Sequence, residues 1–579
     1  MLKVIPDILH DSVIYFPNNT ALHYKSDSVY KSFTYLQLYH KVISLTLTLK
    51  KLGVKKGDAV GIFADNMPGW IIADMAILHL GAIVVPIYHK TSEDILTYIL
   101  KDAKVKALFV SNRENTSLLE KIKSKTPRLK YILSFDDAYM ESPLTIQQMR
   151  DFQRNKIKIL PQEVATIVYT SGSTGLPKGV MLTHQNIISQ IEPLALAMNI
   201  TQKDVVFSFL PLTHMFERVS GYYVPLAVGA SIMHTNNLTT FADEVQKIQP
   251  TYINTVPRFL EKLYETIQFT VDQKNKISQF LFLKGFTIGK KYNSLQMANT
   301  SISLSLQLQY NLFTKPIAKK IKQKFGKRFR FFVSGGAPLS KEIEVFFDAF
   351  GVTIMQGYGL TEAAPVVTVN TLQKHKQGTV GIPIVDKIKI ATDGEILVQG
   401  PNVMKSYLHK IKESKKTLSK HWLHTGDIGV IDEDGFLSIT GRKKNIIVTS
   451  TGKKIAPEPI EDELLKSKYI TQAMLYGDGK QYITALIVVD IDELKLFTKK
   501  NKIQFTGNNE LLLNSVVQQL LQKEIAFINQ HLQDFEQIKK YILIAEEFLV
   551  QNNMLTTTLK MRRYNILKVY KKQLDGLYK

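Results

Sequence analysis

The chain has 579 residues, enough for more than one domain, and its 45% apolar and 22% charged content is that of a folded protein. It contains no cysteine, which excludes thiol catalysis, disulfides and cysteine-ligated metals. The formal net charge of +23 directs attention to anions: nucleotides, membrane surfaces or nucleic acid.

The start, Met1-Leu2-Lys3-Val4-Ile5-Pro6-Asp7, lacks the apolar core of a signal peptide. The longest apolar region, Ile71 to Tyr88, is broken by Asp74, His79, Gly81 and Pro86, so a buried helix and strand are expected there instead of a membrane span. These features predict a cytoplasmic protein, soluble or peripheral on a membrane. Strands are predicted at 58–63, 82–86 and 107–110, with helices at 70–80 and 92–102 between them. Such alternation predicts parallel sheets covered by helices.

The run 164–168 reads as a buried strand. It leads into Thr170-Ser171-Gly172-Ser173-Thr174-Gly175-Leu176-Pro177-Lys178-Gly179. Glycines let backbone N–H groups turn toward an anion, hydroxyls add donors, and Lys178 adds a mobile positive charge. The bland alternative is a surface turn rich in small polar residues. A helix start is read at Thr183-His184-Gln185-Asn186, and a strand, a loop and a helix make a common setting for phosphate. The stretch is not a Walker A loop, because Lys178 follows Pro177 and precedes Gly179.

Residues 205–210 read as a strand, and His214 falls just past its carboxyl end, where ligands bind in open α/β sheets. A lone histidine is more often structural, so position alone leaves its role open. A helix is expected through Gly221-Tyr222-Tyr223-Val224-Pro225-Leu226. Further on, Phe280-Leu281-Phe282-Leu283 is followed by Lys284, Lys290 and Lys291, and residues 315–330 hold eight basic residues and no acidic one. Ile317, Ile321 and Phe325 recur every four residues, giving one apolar face. Residues 280–330 are thus either a contact for an anionic membrane or a helix packed on the core with a solvated basic face.

Residues 330–334 read as a strand ending in the tight turn Gly335-Gly336-Ala337-Pro338. Residues 352–355 read as another, followed by a second glycine-rich turn, Gln356-Gly357-Tyr358-Gly359-Leu360-Thr361-Glu362. Tyr358 could stack on a base, while Thr361 and Glu362 offer oxygen ligands to Mg²⁺. Short strand-and-turn units at 394–400 and 435–441, with Thr425-Gly426-Asp427 between them, predict a small β-rich subdomain. A domain boundary is placed in Gly441-Arg442-Lys443-Lys444-Asn445-Ile446. Beyond it, a helix from Pro457 and a strand at 482–489 predict an α+β domain.

These motifs, in this order, resemble the adenylate-forming superfamily, which contains acyl-CoA synthetases, luciferases and the adenylation domains of peptide synthetases. The match to the phosphate loop is nearly letter for letter. The resemblance implies an α/β fold: a large N-terminal adenylation domain over residues 1–441, with helix-covered sheets and a small β-rich subdomain, and a mobile α+β C-terminal domain over 442–579. It implies phosphate contacts from Thr170, Ser171, Gly172, Ser173, Thr174, Gly175 and Lys178. Gly335, Gly336 and Ala337 resemble the adenine-side turn. Gln356, Gly357 and Tyr358 open the Tyr-Gly-x-Thr-Glu motif, whose Thr361 and Glu362 would serve catalysis and Mg²⁺. Asp427 inherits the ribose, Arg442 the ribose or phosphate, and Lys444 the hinge. Ser450, Gly452 and Lys453 resemble the loop lining the thiol tunnel, and His214, Gly221 and Tyr222 the start of the acyl pocket. Lys560 is the implied catalytic lysine; Thr557 stands nearby where the family usually has proline.

The length of the basic insert resembles long-chain fatty acid–CoA ligases. ATP, Mg²⁺, CoA and a long-chain fatty acid are therefore the implied ligands. Two other readings stay open: an acyl-AMP ligase delivering to a carrier protein, and a lipid-binding, membrane-associated protein that has lost its chemistry. Nucleic-acid binding is not expected, since only the charge favours it.

Overall fold

The predicted alternation of strands and helices builds two large sheets. The computed structural model describes residues 2–26, 29–111, 113–135, 144–170, 176–235, 240–298, 300–549, 551–555 and 560–579. One sheet has seven strands in the order Ser406–Tyr407, Lys178–Thr183, Val164–Thr170, Ile83–Ile87, Ala59–Phe63, Ala107–Val110 and Tyr131–Ser134. The other has nine: Ile382–Pro383, Val366–Val369, Thr353–Gly359, Phe331–Ser334, Tyr252–Thr255, Val205–Ser208, Ser231–His234, Thr20–Ser26 and Val29–Thr34. Their central strands are parallel and buried, as helix-covered parallel sheets require.

The helix Pro68–His79 is buried from Gly69 to His79, and its sequence is apolar on nearly every side, as a helix enclosed by the fold must be. Its neighbours in one continuous core include Val60 and Val84 of the first sheet and Val206, Tyr252 and Phe331 of the second. Asp74 is the acidic exception. It pairs with fully buried Arg218 and accepts from the hydroxyls of Tyr222 at 3.0 Å and Tyr223 at 2.8 Å. Arg218 also donates to Thr166 Oγ1 at 2.8 Å. This network ties the π-helix Glu217–Tyr223 to the first sheet, and removing one partner would strand a charge in the core.

A small sheet follows, built from Lys387–Ile390, Glu395–Gln399, Trp422–Ile431, Leu418–Ser419 and Leu437–Arg442. The C-terminal domain has its own three-stranded sheet, Ile470–Tyr476, Ile483–Val489 and Ile538–Ile544. Its middle strand is buried on both faces: Ala485 and Ile487 enter one core, Leu486 and Val488 the other.

Three expectations are corrected. Residues 178–183, expected as loop, form an antiparallel strand on Val164–Thr170; the helix expected from Thr183 then follows as His184–Met198, with Thr183 as its cap. Gln356, Gly357 and Tyr358 lie inside the strand Thr353–Gly359, not in a turn. The segment around Asp427 lies within one ten-residue strand, Trp422–Ile431, although Gly426 takes a φ of +73°. Of the two readings left open for the basic helix Lys315–Gln323, the core-packed one holds: its apolar face lies on the aromatic core through Ile317 and Ile321, with Phe325 beyond it. That face is therefore not available to a membrane. Among the described residues, no helix is long and apolar enough to cross a bilayer.

Candidate active site

The site assembles where five segments meet. The hairpin of Val164–Thr170 and Lys178–Thr183 pairs Thr170 with Lys178, setting the lysine at the hairpin mouth. Ser171, Gly172, Ser173, Thr174 and Gly175 lie outside the described residues. Lys178 Nζ sits 5.2 Å from the ring centre of Tyr407, whose short strand Ser406–Tyr407 pairs on the outer edge of the same hairpin. The Tyr407 hydroxyl donates to Glu362 Oε1 at 2.8 Å. Burial and the Glu362 carboxylate both push that hydroxyl up, so it stays protonated as a donor. Lys178, Tyr407 and Glu362 thus form one ladder from the hairpin to the short turn Thr361–Ala363.

The strand Thr353–Gly359 delivers Tyr358, whose hydroxyl donates to Asp427 Oδ2 at 2.8 Å. Gly359 lies so close to the returning chain that a Cβ there would fall 2.1 Å from the Pro365 carbonyl oxygen. This approach sets where the strand ends and Thr361 begins. Asp427 is paired in register with Arg442 across two neighbouring strands, and Arg442 Nε lies 3.0 Å from Asp427 Oδ1. Gly335 is buried beside the ring of Phe216, while Gly336 and Ala337 are exposed, with Gly336 at φ +86°.

Lys560 comes from the far end of the chain. Burial pulls its ammonium down to about 8; Arg442 and Lys444 act in the same direction, against Asp427 and Glu362. Lys444 is lowered by burial and Arg442, and it also feels Asp427, Lys178 and Glu362. His214 is lowered by burial and then by the charge of Lys560. Lys560 and His214 both keep exposed surface, although neighbouring protein partly desolvates them. The C-terminal lysine therefore shares one electrostatic cluster with Glu362, Asp427, Arg442 and Lys444, and His214 borders it.

Other predicted residues go elsewhere. Tyr222 is fully buried, edge-on to Trp70 and tied to Asp74, which makes it part of the core. Ser450, Gly452 and Lys453 form a tight hairpin that contacts the C-terminal domain itself: Ser450 N donates to Lys480, and Lys453 lies over Phe535. Thr557 lies outside the described residues. Gly221 makes room for Glu217, since a Cβ there would fall 2.2 Å from Glu217 Oε1.

Sequence reasoning missed Glu217 and Tyr407. Glu217 is fully buried and accepts from Asn254 Nδ2 at 3.1 Å; burial pushes its carboxyl up to about 7. The available signal was the adjacent pair Glu217-Arg218 in a stretch, Met215 to Tyr223, rich in bulky apolar and aromatic residues. Tyr407 gave none, because a two-residue strand has no period.

An AMP-binding enzyme family model matches residues 9–408, and a model of the AMP-binding enzyme C-terminal domain matches residues 444–579. The chain belongs to the AMP-binding enzyme family. Among relatives of this AMP-binding enzyme, long chain acyl-CoA synthetase 1 of Arabidopsis thaliana is 31% identical, across 99% of this chain and 92% of the relative. Long-chain-fatty-acid–CoA ligase FadD15 of Mycobacterium tuberculosis is 29% identical across 95% and 93%. Solved structures share the fold: ATP-bound MatB from Rhodopseudomonas palustris superimposes with a TM-score of 0.71 at 19% identity, covering 100% of both chains. O-succinylbenzoate coenzyme A synthetase from Bacillus subtilis, in complex with ATP and a magnesium ion, gives 0.69 at 21%, covering 96% of this chain and 98% of that one.

Proposed function

We propose that this AMP-binding enzyme is a long-chain fatty acid–CoA ligase. The observation that carries the reading is the pair of linked sets Lys178–Tyr407–Glu362 and Tyr358–Asp427–Arg442, whose charges also act on Lys560. The names of relatives at 29–31% identity along almost the whole chain support the substrate class.

In the first half-reaction a carboxylate oxygen attacks the α-phosphorus of ATP. The bond to pyrophosphate breaks and an acyl-adenylate forms. A carboxylate is already ionised near neutral pH, so no general base is needed; fixed donors and positive charge for the developing anion are. In this reading Lys560 bridges the carboxylate and the α-phosphate. Thr170 and Lys178 hold the leaving pyrophosphate, and Asp427, which Tyr358 and Arg442 contact, takes the ribose hydroxyls. Among the described residues no three acidic or histidine side chains gather to hold a metal. One carboxylate, Glu362, beside the hydroxyl of Thr361 suits Mg²⁺, which takes few protein ligands and keeps phosphates in its shell. When bound there, it would neutralise phosphate charge.

In the second half-reaction the CoA thiol attacks the acyl carbonyl. AMP leaves and the thiol proton passes to solvent. For this step we place the domain boundary at Arg442 and the hinge at Lys444, so that a turn withdraws Lys560 and brings the hairpin at Ser450, Gly452 and Lys453 toward the adenylate.

The test is fatty-acid-dependent ATP–pyrophosphate exchange, run beside CoA-dependent turnover over carboxylates of increasing length. Exchange and acyl-CoA formation with long-chain acids are expected. Activity confined to short or aromatic acids overturns the substrate class. Adenylate that accumulates without reacting with free CoA overturns the acceptor in favour of a carrier protein.

A further inference from the structure

Between Gln273 and Lys341 the chain has fourteen basic residues and no acidic one. The long helix Lys276–Met297 runs through the first part of this stretch. Phe282, Gly285, Ile288 and Gly289 face inward. A Cβ at Gly285 would lie 2.8 Å from Ile317 and 2.9 Å from the Phe313 carbonyl oxygen, and one at Gly289 would lie 2.2 Å from that of Ala349. With about 100° per residue, the opposite side carries Lys276, Phe280, Leu283, Lys290 and Lys291. All five are exposed, Phe280 by 62% and Leu283 by 60%.

The returning segment lies antiparallel beside it. Tyr310 stacks on Tyr292 at 4.0 Å, and Lys284 lies 4.1 Å over the Phe313 ring. In the helix Leu304–Gln309 and the π-helical turn Tyr310–Thr314, Leu306 faces in while Leu304, Leu308 and Leu312 stand out, each at least 68% exposed. The two segments therefore present bulky apolar side chains set among lysines.

We propose that this paired outer surface docks on anionic lipid bilayers. Single exposed apolar residues need no explanation, but a ridge of them bordered by unopposed positive charge does. No ion pair among the described residues uses a lysine between 274 and 327. A bilayer surface offers both matching chemistries, anionic headgroups for the lysines and an apolar boundary for Phe280, Leu283 and Leu308. Lysine stems can lie along apolar surface while the ammonium stays in water, so the two contacts are compatible. A second copy of the chain is the poorer occupant, because two uniformly basic patches would face each other. A soluble polyanion satisfies the lysines and leaves the leucines uncovered. The proposal is independent of the ligase reading, and its test uses neither ATP nor fatty acid.

The purified full chain is sedimented with phosphatidylcholine vesicles, with and without phosphatidylserine, at low and high salt. Two variants are compared: Phe280→Ser/Leu283→Ser/Leu308→Ser and Lys276→Glu/Lys290→Glu/Lys291→Glu. Every changed side chain is exposed, so unchanged thermal midpoints are expected. The wild type should bind only the anionic vesicles, and each triple variant should lose about tenfold or more. Phe280→Trp adds a readout that removes nothing: its emission should shift to the blue on anionic vesicles. Absent or anion-independent wild-type binding overturns the proposal, as does undiminished binding by the apolar variant. So does a dimer in vesicle-free buffer that the apolar variant dissociates, or equal retention of wild type and apolar variant on heparin with neither held by vesicles.

Discussion

At the residue scale, the two lysines to which we assign separate work, Lys178 and Lys560, sit in different surroundings. Lys178 is fixed on the edge of a hairpin and leans over Tyr407; Lys560 arrives from another domain into a cluster of opposed charges. Lys560→Ala should lower adenylate formation by about 10²- to 10³-fold, a typical cost of losing a charge-stabilising contact in the transition state. Thioester formation from supplied acyl-adenylate should survive. Equal loss in both assays would remove this division of labour. Because the ammonium of Lys560 is pulled down to about 8, its cation is lost as pH rises through that value. Adenylation should decline over that range in the wild type, and Lys560→Arg, which keeps its charge, should flatten the decline. Pyrophosphate exchange across the alkaline range measures this.

At the scale of elements, the parallel sheets were legible because buried strands carry continuous apolar runs; residues 107–110 were read with their observed limits. The strand at 178–183 was not. Pro177 and Gly179 look like loop residues, and only the partner strand reveals the alternation of its faces. Gln356–Gly359 misled for the same reason: its glycines answer to close approach by Thr368 and Pro365, not to a turn. The apolar stripe at Ile317, Ile321 and Phe325 was correctly periodic, but a period does not say whether core or lipid covers it. The chemistry-bearing motifs stood out because each packs several unusual residues into a few positions, whereas the groups that orient them, Tyr407 and Glu217, act from a distance in sequence. Gly221→Ala tests the packing of the π-helix. The new methyl would press on Glu217 and Asn254 inside a closed core, and unfolding in urea should reveal a loss of about 1–3 kcal/mol.

A buried ion group gives an element-scale prediction with a pH sign. His375 Nε2 lies 3.3 Å from Glu344 and 3.2 Å from Asp348. Burial opposes its charge, but the two carboxylates outweigh it and raise the imidazole from 6.5 to about 9. A raised folded-state value contributes stability that is fully present below about 6.5 and is lost as pH climbs through 9. His375→Gln should remove about 1–3 kcal/mol at pH 6 and progressively less toward pH 9, as read from denaturation midpoints. A difference that does not vary with pH would mean that the imidazole acts by packing alone.

At the scale of the whole molecule, Tyr358, Asp427 and Arg442 lie in strands, while Lys560 belongs to the part of the chain that follows the short turn after Arg442. Lys444→Pro should stiffen that turn. Pyrophosphate exchange should persist and thiolysis of supplied adenylate should fall about tenfold or more, since domain rearrangement can limit a catalytic cycle. Unchanged thiolysis would move the pivot elsewhere.

Charge is distributed just as unevenly. The fourteen cations from residue 273 through residue 341 supply more than half of the net +23 of the whole chain and leave +9 for all the other residues. The chain consequently presents a concentrated positive segment to any negative surface. Its rate of arrival at a negative surface should therefore fall steeply with ionic strength, while its rate of departure, once apolar side chains are seated, should depend on salt far less.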